Sequence, residues 1–331
     1  MGEMASIRDV AQLAGVSVGT VSRYLNGQKL RQSNVEKITS AIKVLDYKEN
    51  IIAKGLKNNR SFSIGLLMNS ISSRFGSEVV SGIEKVAEAN GYSILLSGFS
   101  KSEKQMDEKI DYLLKHSVDG LIVFLSSEEW IDMEKLAQVN VPIVSLNYPD
   151  PLNNADVILL DDRESVSNVI SDYIAKGHQK IGYITAPQTD YTAKERLLGA
   201  KDAVENHPEV ALEIYEGDYT RRSGYQGTKE LLMANATAIF VSNYNMSLGS
   251  LECFNEQGIS VKKDIAFGHY DYLSEGEQSI LPQVTINPPT EKIGETAATI
   301  ILERIKGIPE NLPSEKQTII LNNQILGMTT E

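Results

Sequence analysis

Two hydrophobic rhythms divide the chain. From Ser6 to Gly15 the apolar residues Ile7, Val10, Ala11 and Ala14 recur at helical spacing, and Gly15 interrupts them. Val21 and Leu25 stand four apart in a second short amphipathic stretch, which leaves Thr20, Ser22, Arg23 and Asn26 facing outward. Val35, Ile38, Ala41, Ile42 and Leu45 form the inward stripe of a third helix spanning Ser33 to Leu45. Three short helices with a glycine turn between the first two match a helix-turn-helix domain. From Ser61 onward, compact apolar runs alternate with amphipathic stretches. "SIGLLM", "YSILLSG", "DGLIVFL", "VPIVSLN" and "DVILLD" read as strands, with "SEVVSGIEKVAEAN" and "QMDEKIDYLLKH" as helices between them. After Asp161 the rhythm repeats in "KIGYITAP", "LEIYEG", "ATAIFVS" and "DIAFGHY". Alternating strand and helix implies parallel sheets, so the fold class expected is an α/β core of two Rossmann-like lobes behind an all-α N-terminal domain.

Composition narrows the function. The 331 residues, 41% apolar and 23% charged, are ordinary for a globular protein of two or three domains. No apolar run is long enough to span a membrane, and the N-terminus is too polar for a signal peptide, so a cytoplasmic protein is expected. Cys253 is the only cysteine and lacks companions for a disulfide or a zinc site, so no metal and no cofactor are expected. The net charge of -12 argues against nucleic acid until its distribution is read. Residues 1–60 carry ten Lys/Arg against five Asp/Glu, whereas the remainder carries 22 against 39. A basic head on an acidic body requires the head to do any docking on DNA.

One motif points elsewhere. Gly15-Val16-Ser17-Val18-Gly19 fits the G-x-S-x-G of a hydrolase nucleophile elbow. That motif needs a buried strand before the serine, and here an amphipathic helix precedes it. The four histidines, His116, His178, His207 and His269, are all distant in sequence. Ser17 instead suits a helix N-cap, its hydroxyl accepting an unpaired backbone N–H. An enzyme is therefore not expected.

"SIRDVAQLAGVSVGTVSRYLNG" and "AKGLKNNRSFSIGLL" resemble the LacI/GalR family of bacterial transcription regulators, closely in the first 27 residues and more loosely along the whole chain. The resemblance implies a second helix lying in the major groove of double-stranded, pseudo-palindromic operator DNA. It gives base-edge roles to Val18, Gly19 and Arg23. The Arg23 fork can bond guanine O6 and N7, Val18 can touch a thymine methyl, and Gly19 offers close approach. Ser6, Thr20, Ser22 and Asn26 are implied phosphate contacts, which position without specifying, and Ser17 supports them as the cap. "NIIAKGLKNNR" resembles the family's hinge helix, with Leu56 as a minor-groove wedge and Ala53 one turn before it. Gly55 weakens such a helix in isolation, as a segment folding on DNA requires. An ordinary linker is the plainer alternative. The chain departs from the family at Tyr47-Lys48-Glu49-Asn50, which lacks the usual proline, and at Arg31-Gln32-Ser33, which displaces the usual serine cap.

The body resembles the family's sugar-sensing, periplasmic-binding-protein-like core. The expected divisions are residues 1–49 for the helix-turn-helix, 50–60 for the hinge, 61–160 with 289–313 for one lobe, and 161–288 with 314–331 for the other. The chain is expected to cross between lobes near Asp161, Pro288 and Ser314. No G-x-G-x-x-G or P-loop is present, so a ligand is expected between the lobes at the carboxyl ends of strands. By resemblance its contacts are Asn69, Ser70, Phe75, Asn147, Arg196, Tyr219, Asn243 and Asp271. Amides, a carboxylate and an arginine beside aromatic rings suit a polyol. The family's Asn-Asp is Asn243-Tyr244 here, and its Gly-Phe-Asp-Asp is His269-Tyr270-Asp271-Tyr272. These changes suit a larger sugar or one carrying an anionic group, with Arg74 and His269 as counter-charges.

The resemblance implies a homodimeric repressor of sugar-utilisation genes, controlled by a bound sugar or sugar phosphate. A ligand or a protein partner acting as corepressor is the alternative, followed by a sugar-binding protein without a DNA role. No heptad follows "LNNQILGMTTE", so a dimer rather than a coiled-coil tetramer is expected.

Overall fold

The computed structural model describes residues 5–25, 27–48, 55, 60–69, 73–99, 103–125, 133–150, 153–271, 284–307 and 315–328. It comprises two compact units, Met1–Ser61 and Phe62–Glu331.

The first unit holds α1 (Ile7–Ala14), α2 (Val18–Leu25) and α3 (Gln32–Val44). A capping box opens α1: the Ser6 hydroxyl accepts the Asp9 N–H at 3.4 Å, and the Asp9 carboxylate accepts the Ser6 N–H at 2.8 Å. Gly15, at φ 64°, closes it in the left-handed conformation that lets Val16 N–H return to the Ala11 carbonyl at 3.0 Å. Val10, Ala11, Ala14, Val21, Ile38 and Ala41 form the buried core. The Tyr24 and Thr39 hydroxyls, 2.8 Å apart, tie α2 to α3. Val35, expected inward, is only half-buried. At the start of α3, Arg31 makes no side-chain cap, as the displaced serine foretold. Arg31→Ser is therefore expected to stabilise this unit by about 1 kcal/mol, the usual worth of an N-cap, as a raised thermal midpoint.

The second unit begins with β1 (Ser63–Met68), α4 (Arg74–Ala89), β2 (Ser93–Gly98), α5 (Glu103–Lys115), β3 (Gly120–Phe124), α6 (Met133–Ala137), β4 (Ile143–Leu146) and β5 (Asp156–Leu160). It continues through α7 (Asp162–Ala175), β6 (Lys180–Thr185), α8 (Tyr191–Val204), β7 (Ala211–Glu216), α9 (Arg221–Met233), β8 (Ala238–Val241), α10 (Tyr244–Glu256) and β9 (Ala266–Tyr270). The last elements are β10 (Val284–Asn287), α11 (Thr290–Lys306), β11 (Thr318–Leu321) and β12 (Gln324–Leu326). They build two six-stranded sheets, ordered β11-β5-β4-β3-β1-β2 and β12-β10-β9-β8-β6-β7. Every pairing is parallel except β12 against β10. Helices cover both faces of each sheet, so central strands such as β3 and β8 are buried along their whole length and read as unbroken apolar runs.

The chain passes from the first sheet to the second after Leu160, returns after Asn287 and passes again after Leu321. The third passage corrects the expectation of Ser314. β11 still pairs with β5, Ile319 opposite Ile158, so the chain leaves the first lobe at Asn322–Asn323. Helix α11, though late in sequence, packs on α4 and covers the first sheet. The two helices approach so closely that a methyl group on Gly82 would strike the Glu291 backbone, and one on Gly294 that of Val79. Arg304 on α11 bonds the fully buried Asp156 of β5 through two N–H groups, at 2.7 and 2.9 Å.

Candidate functional site

In the first unit the local cap decides what α2 presents. The Ser17 hydroxyl accepts the Thr20 N–H at 3.2 Å and lies 2.9 Å from the Thr20 hydroxyl. Ser17 is thus a helix cap. The same pairing corrects the placement of Thr20, which is 9% exposed and faces inward with its hydroxyl engaged. Val18, Gly19 and Arg23 are exposed, and Ser22 is half-buried. Arg23 Nε donates to the Gly19 carbonyl at 3.4 Å, which lays the guanidinium back along the helix. Ser6 bonds Asp9 at 2.7 Å through the hydroxyl assigned to phosphate. Asn26, Ala53 and Leu56 lie outside the described residues.

Gly19 is informative because nothing in the fold requires it. A methyl group there would meet only the Ser17 hydroxyl, at an ordinary 3.7 Å. Gly19→Ala should therefore stabilise α2 by about 0.5–1 kcal/mol, since alanine is the better helix former. If DNA approaches the bare backbone, the same change weakens duplex binding. A melting curve and a binding isotherm moving in opposite directions is the expected result; tighter binding would remove Gly19 from the interface.

In the second unit, four of the implied ligand contacts gather at the carboxyl ends of adjacent strands in the second lobe. Arg196, on α8, donates from Nε to Asp162 Oδ1 at 2.9 Å and from Nη1 to the Ser242 carbonyl at 3.0 Å. Its guanidinium carbon sits 3.5 Å above the centre of the Tyr270 ring. Burial pulls this guanidinium towards neutrality, but the Asp162 carboxylate outweighs it and holds the pKa above its ordinary value. Asn243, next to Ser242, caps α10 by accepting the Asn245 N–H at 2.9 Å, and its amide lies 3.5 Å from Asp271. Tyr219 donates its hydroxyl to Asp190 at 2.8 Å, while Asp190 caps α8 through the Thr192 N–H. Burial, then the Asp190 charge, push the Tyr219 hydroxyl well above its ordinary pKa and keep it a neutral donor.

In the first lobe, Asn69 follows β1, Asn147 follows β4, and Phe75 packs edge-on against Phe124 at the end of β3 with ring centres 5.8 Å apart. Ser70 lies outside the described residues, as does Tyr272. The lobes meet at Tyr148 and Tyr191, whose rings stand edge to face at 5.8 Å. Three of the implied contacts carry positive φ angles: Asn147 at 63°, Tyr219 at 67° and Asp271 at 137°. Non-glycine residues held there store strain, which concentrates at ligand sites. His269 corrects the counter-charge expectation: it is wholly buried, with its ring on the Ser247 hydroxyl at 3.0 Å, and has no surface for an anion. Sequence reasoning passed over Asp162, Asp190 and Tyr191. An aspartate followed by two small N–H donors, as in Asp190-Tyr191-Thr192-Ala193, was the signal available for Asp190.

Among the described residues no helix is long and apolar enough to cross a membrane. Residues 6–50 match the family described as "Bacterial regulatory proteins, lacI family", and residues 64–309 match "Periplasmic binding protein domain". The chain is 31% identical over 308 residues to the HTH-type transcriptional repressor PurR of Actinobacillus pleuropneumoniae, covering 92% of both chains. It is 29% identical over 309 residues to the ribose operon repressor of Escherichia coli, covering 91% of this chain and 93% of that one. Its fold matches the crystal structure of the lac repressor dimer bound to operator and the anti-inducer ONPF, at a TM-score of 0.81, 27% identity and 98% coverage of both chains. With a helix-turn-helix at one end and a two-lobed binding core behind it, the chain belongs to the lacI family of bacterial regulatory proteins.

Proposed function

We propose that this chain is a sequence-specific DNA-binding transcriptional regulator, a dimeric repressor whose grip on a pseudo-palindromic operator is set by a neutral carbohydrate held between its lobes. The observation that carries this reading is the pairing of a capped helix with an exposed Val18-Gly19-Arg23 face and a strained, strand-end cluster in a separate unit. One unit reads and the other senses. The relatives' names, a transcriptional repressor and a ribose operon repressor, support repression as the direction.

Charge favours a neutral ligand over a sugar phosphate. The Arg196 cation is already answered by Asp162, and Asp271 adds a second carboxylate to the cluster, 3.5 Å from the Asn243 amide. A phosphate entering that cluster would meet more negative than positive charge and lose its hydration shell. Arg196, Asn243 and Asp271 instead offer paired donors and acceptors to vicinal hydroxyls, with Tyr219 as an adjoining ring. The ligand alters operator affinity only if it binds the two states of the protein unequally.

The test is fluorescence anisotropy of the purified protein on DNA upstream of its own gene, titrated with neutral sugars and their phosphates. Tight binding weakened by one neutral sugar is expected. Binding strengthened by a sugar would keep the regulator and reverse the sign of control. A preference for the phosphate form would refute the charge argument. No preference over a scrambled duplex, repeated in a genome-wide binding selection, would overturn the DNA reading.

A further inference from the structure

We propose that Tyr270 is a positioning residue that links the Arg196 guanidinium to two of the three crossings between the lobes. The proposal rests on reading the Arg196 cluster as the ligand site. Tyr270 ends β9, next to Asp271, and is 1% exposed. Its ring supports the guanidinium from below at 3.5 Å, which a phenylalanine would do equally well. The hydroxyl does something a phenylalanine cannot: it donates to Asn323 Oδ1 at 2.9 Å.

Asn323 occupies the third crossing, between β11 and β12. Its backbone N–H and its side-chain amide both donate to Asp161 Oδ1, at 2.8 and 2.7 Å, and the amide also reaches the Ser165 hydroxyl at 3.3 Å. Asp161 is the first crossing. The next residue, Asp162, takes the Arg196 Nε–H at 2.9 Å. Arg196, Tyr270, Asn323, Asp161 and Asp162 thus close a ring of contacts drawn from four separate segments of the chain.

Such a ring cannot deform at one point alone. Lobe rotation changes backbone angles at the few residues that carry the crossings. Turning Asp161 or Asn323 redirects the Asn323 amide, and the buried Tyr270 hydroxyl, which also bonds Asp162, must follow it or give up that bond in a site closed to water. The ring of Tyr270 carries that displacement to Arg196. A ligand that moves the guanidinium sends the same displacement back, because coupling between two sites is reciprocal.

The test needs neither ligand nor DNA, so its outcome is independent of whether the carbohydrate reading holds. In full-length protein labelled with ¹⁵N-arginine, the Arg196 Nε–H resonance is assigned by its loss in Arg196→Lys, and its exchange with solvent is measured. Tyr270→Phe keeps the ring and removes the hydroxyl. Asn323→Ala touches neither Arg196 nor the ligand site, and Asn323→Ser is held in reserve should the alanine variant fold poorly. Exchange about fivefold faster in each single variant, the scale of one hydrogen bond, with no further rise in the double variant, is expected. Unchanged exchange in the Asn323 variants would overturn the link. So would strictly multiplied effects in the double variant, since independent contacts add in free energy. A ring that serves only as packing predicts wild-type exchange in Tyr270→Phe.

Discussion

Arg196→Leu is expected to cost about 3–5 kcal/mol of stability, the usual penalty for breaking a buried ion pair from one side. The side chains of Arg196 and Asp162 are 11% and 4% exposed, so removing the guanidinium strands a carboxylate in a dry interior. Leucine keeps an apolar contact with the Tyr270 ring, which confines most of the loss to the charge. The double variant Arg196→Leu/Asp162→Leu should recover much of it, because an apolar pair leaves nothing unsolvated. Denaturant unfolding of the two variants and the parent decides this. A single variant within about 0.5 kcal/mol of the parent would mean that water reaches Asp162. Ligand response should vanish in both variants, since both lack the donor fork.

Arg23→Ala should lower affinity for the correct operator by about 1–3 kcal/mol, roughly 5- to 150-fold, if its fork reads a guanine edge. The loss should be concentrated at one base pair in each half-site, and single-base operator variants at that position should bind the mutant alike. Binding to unrelated duplex should change little, with a salt dependence near that of the parent. An equal loss on every sequence, with a shallower salt slope, would instead make Arg23 a phosphate contact. Among the described residues the guanidinium's hydrogen bond is the long one to the Gly19 carbonyl, so the substitution should leave the melting temperature of the free head nearly unchanged.

The head was legible because its determinants are local. The apolar spacing of Ile7, Val10, Ala11 and Ala14, the stop at Gly15 and the cap at Ser17 act within a few residues of one another. Thr20 escaped for the same reason in reverse: a polar residue is placed outward by default, and only the Ser17 hydroxyl makes its burial tolerable. In the ligand cluster, the strand ends could be read but the bonds between them could not. Arg196 meets Asp162 across 34 residues and Tyr270 meets Asn323 across 53. Of the positive φ angles, those of Asn147 and Asp271 fall on residue types that tolerate that region, but such residues are common in loops, and nothing in the sequence marks Tyr219. The third crossing was misplaced because "TIILNNQIL" holds two half-exposed edge strands from different sheets, and hydrophobic pattern does not record which sheet a strand joins.

The late position of α11 and β11 has a consequence for synthesis on the ribosome. The head, with its contacts close in sequence, can fold as soon as its own residues emerge. The first lobe cannot. Its sheet waits for α11 to cover one face and for Arg304 to neutralise the buried Asp156, and neither exists until some 300 residues have been made. During that interval a finished DNA reader is tethered to an unfinished sensor. A premature stop in the last tenth of the gene would therefore damage the first lobe, not only the last, and leave a head that the missing lobe can no longer regulate.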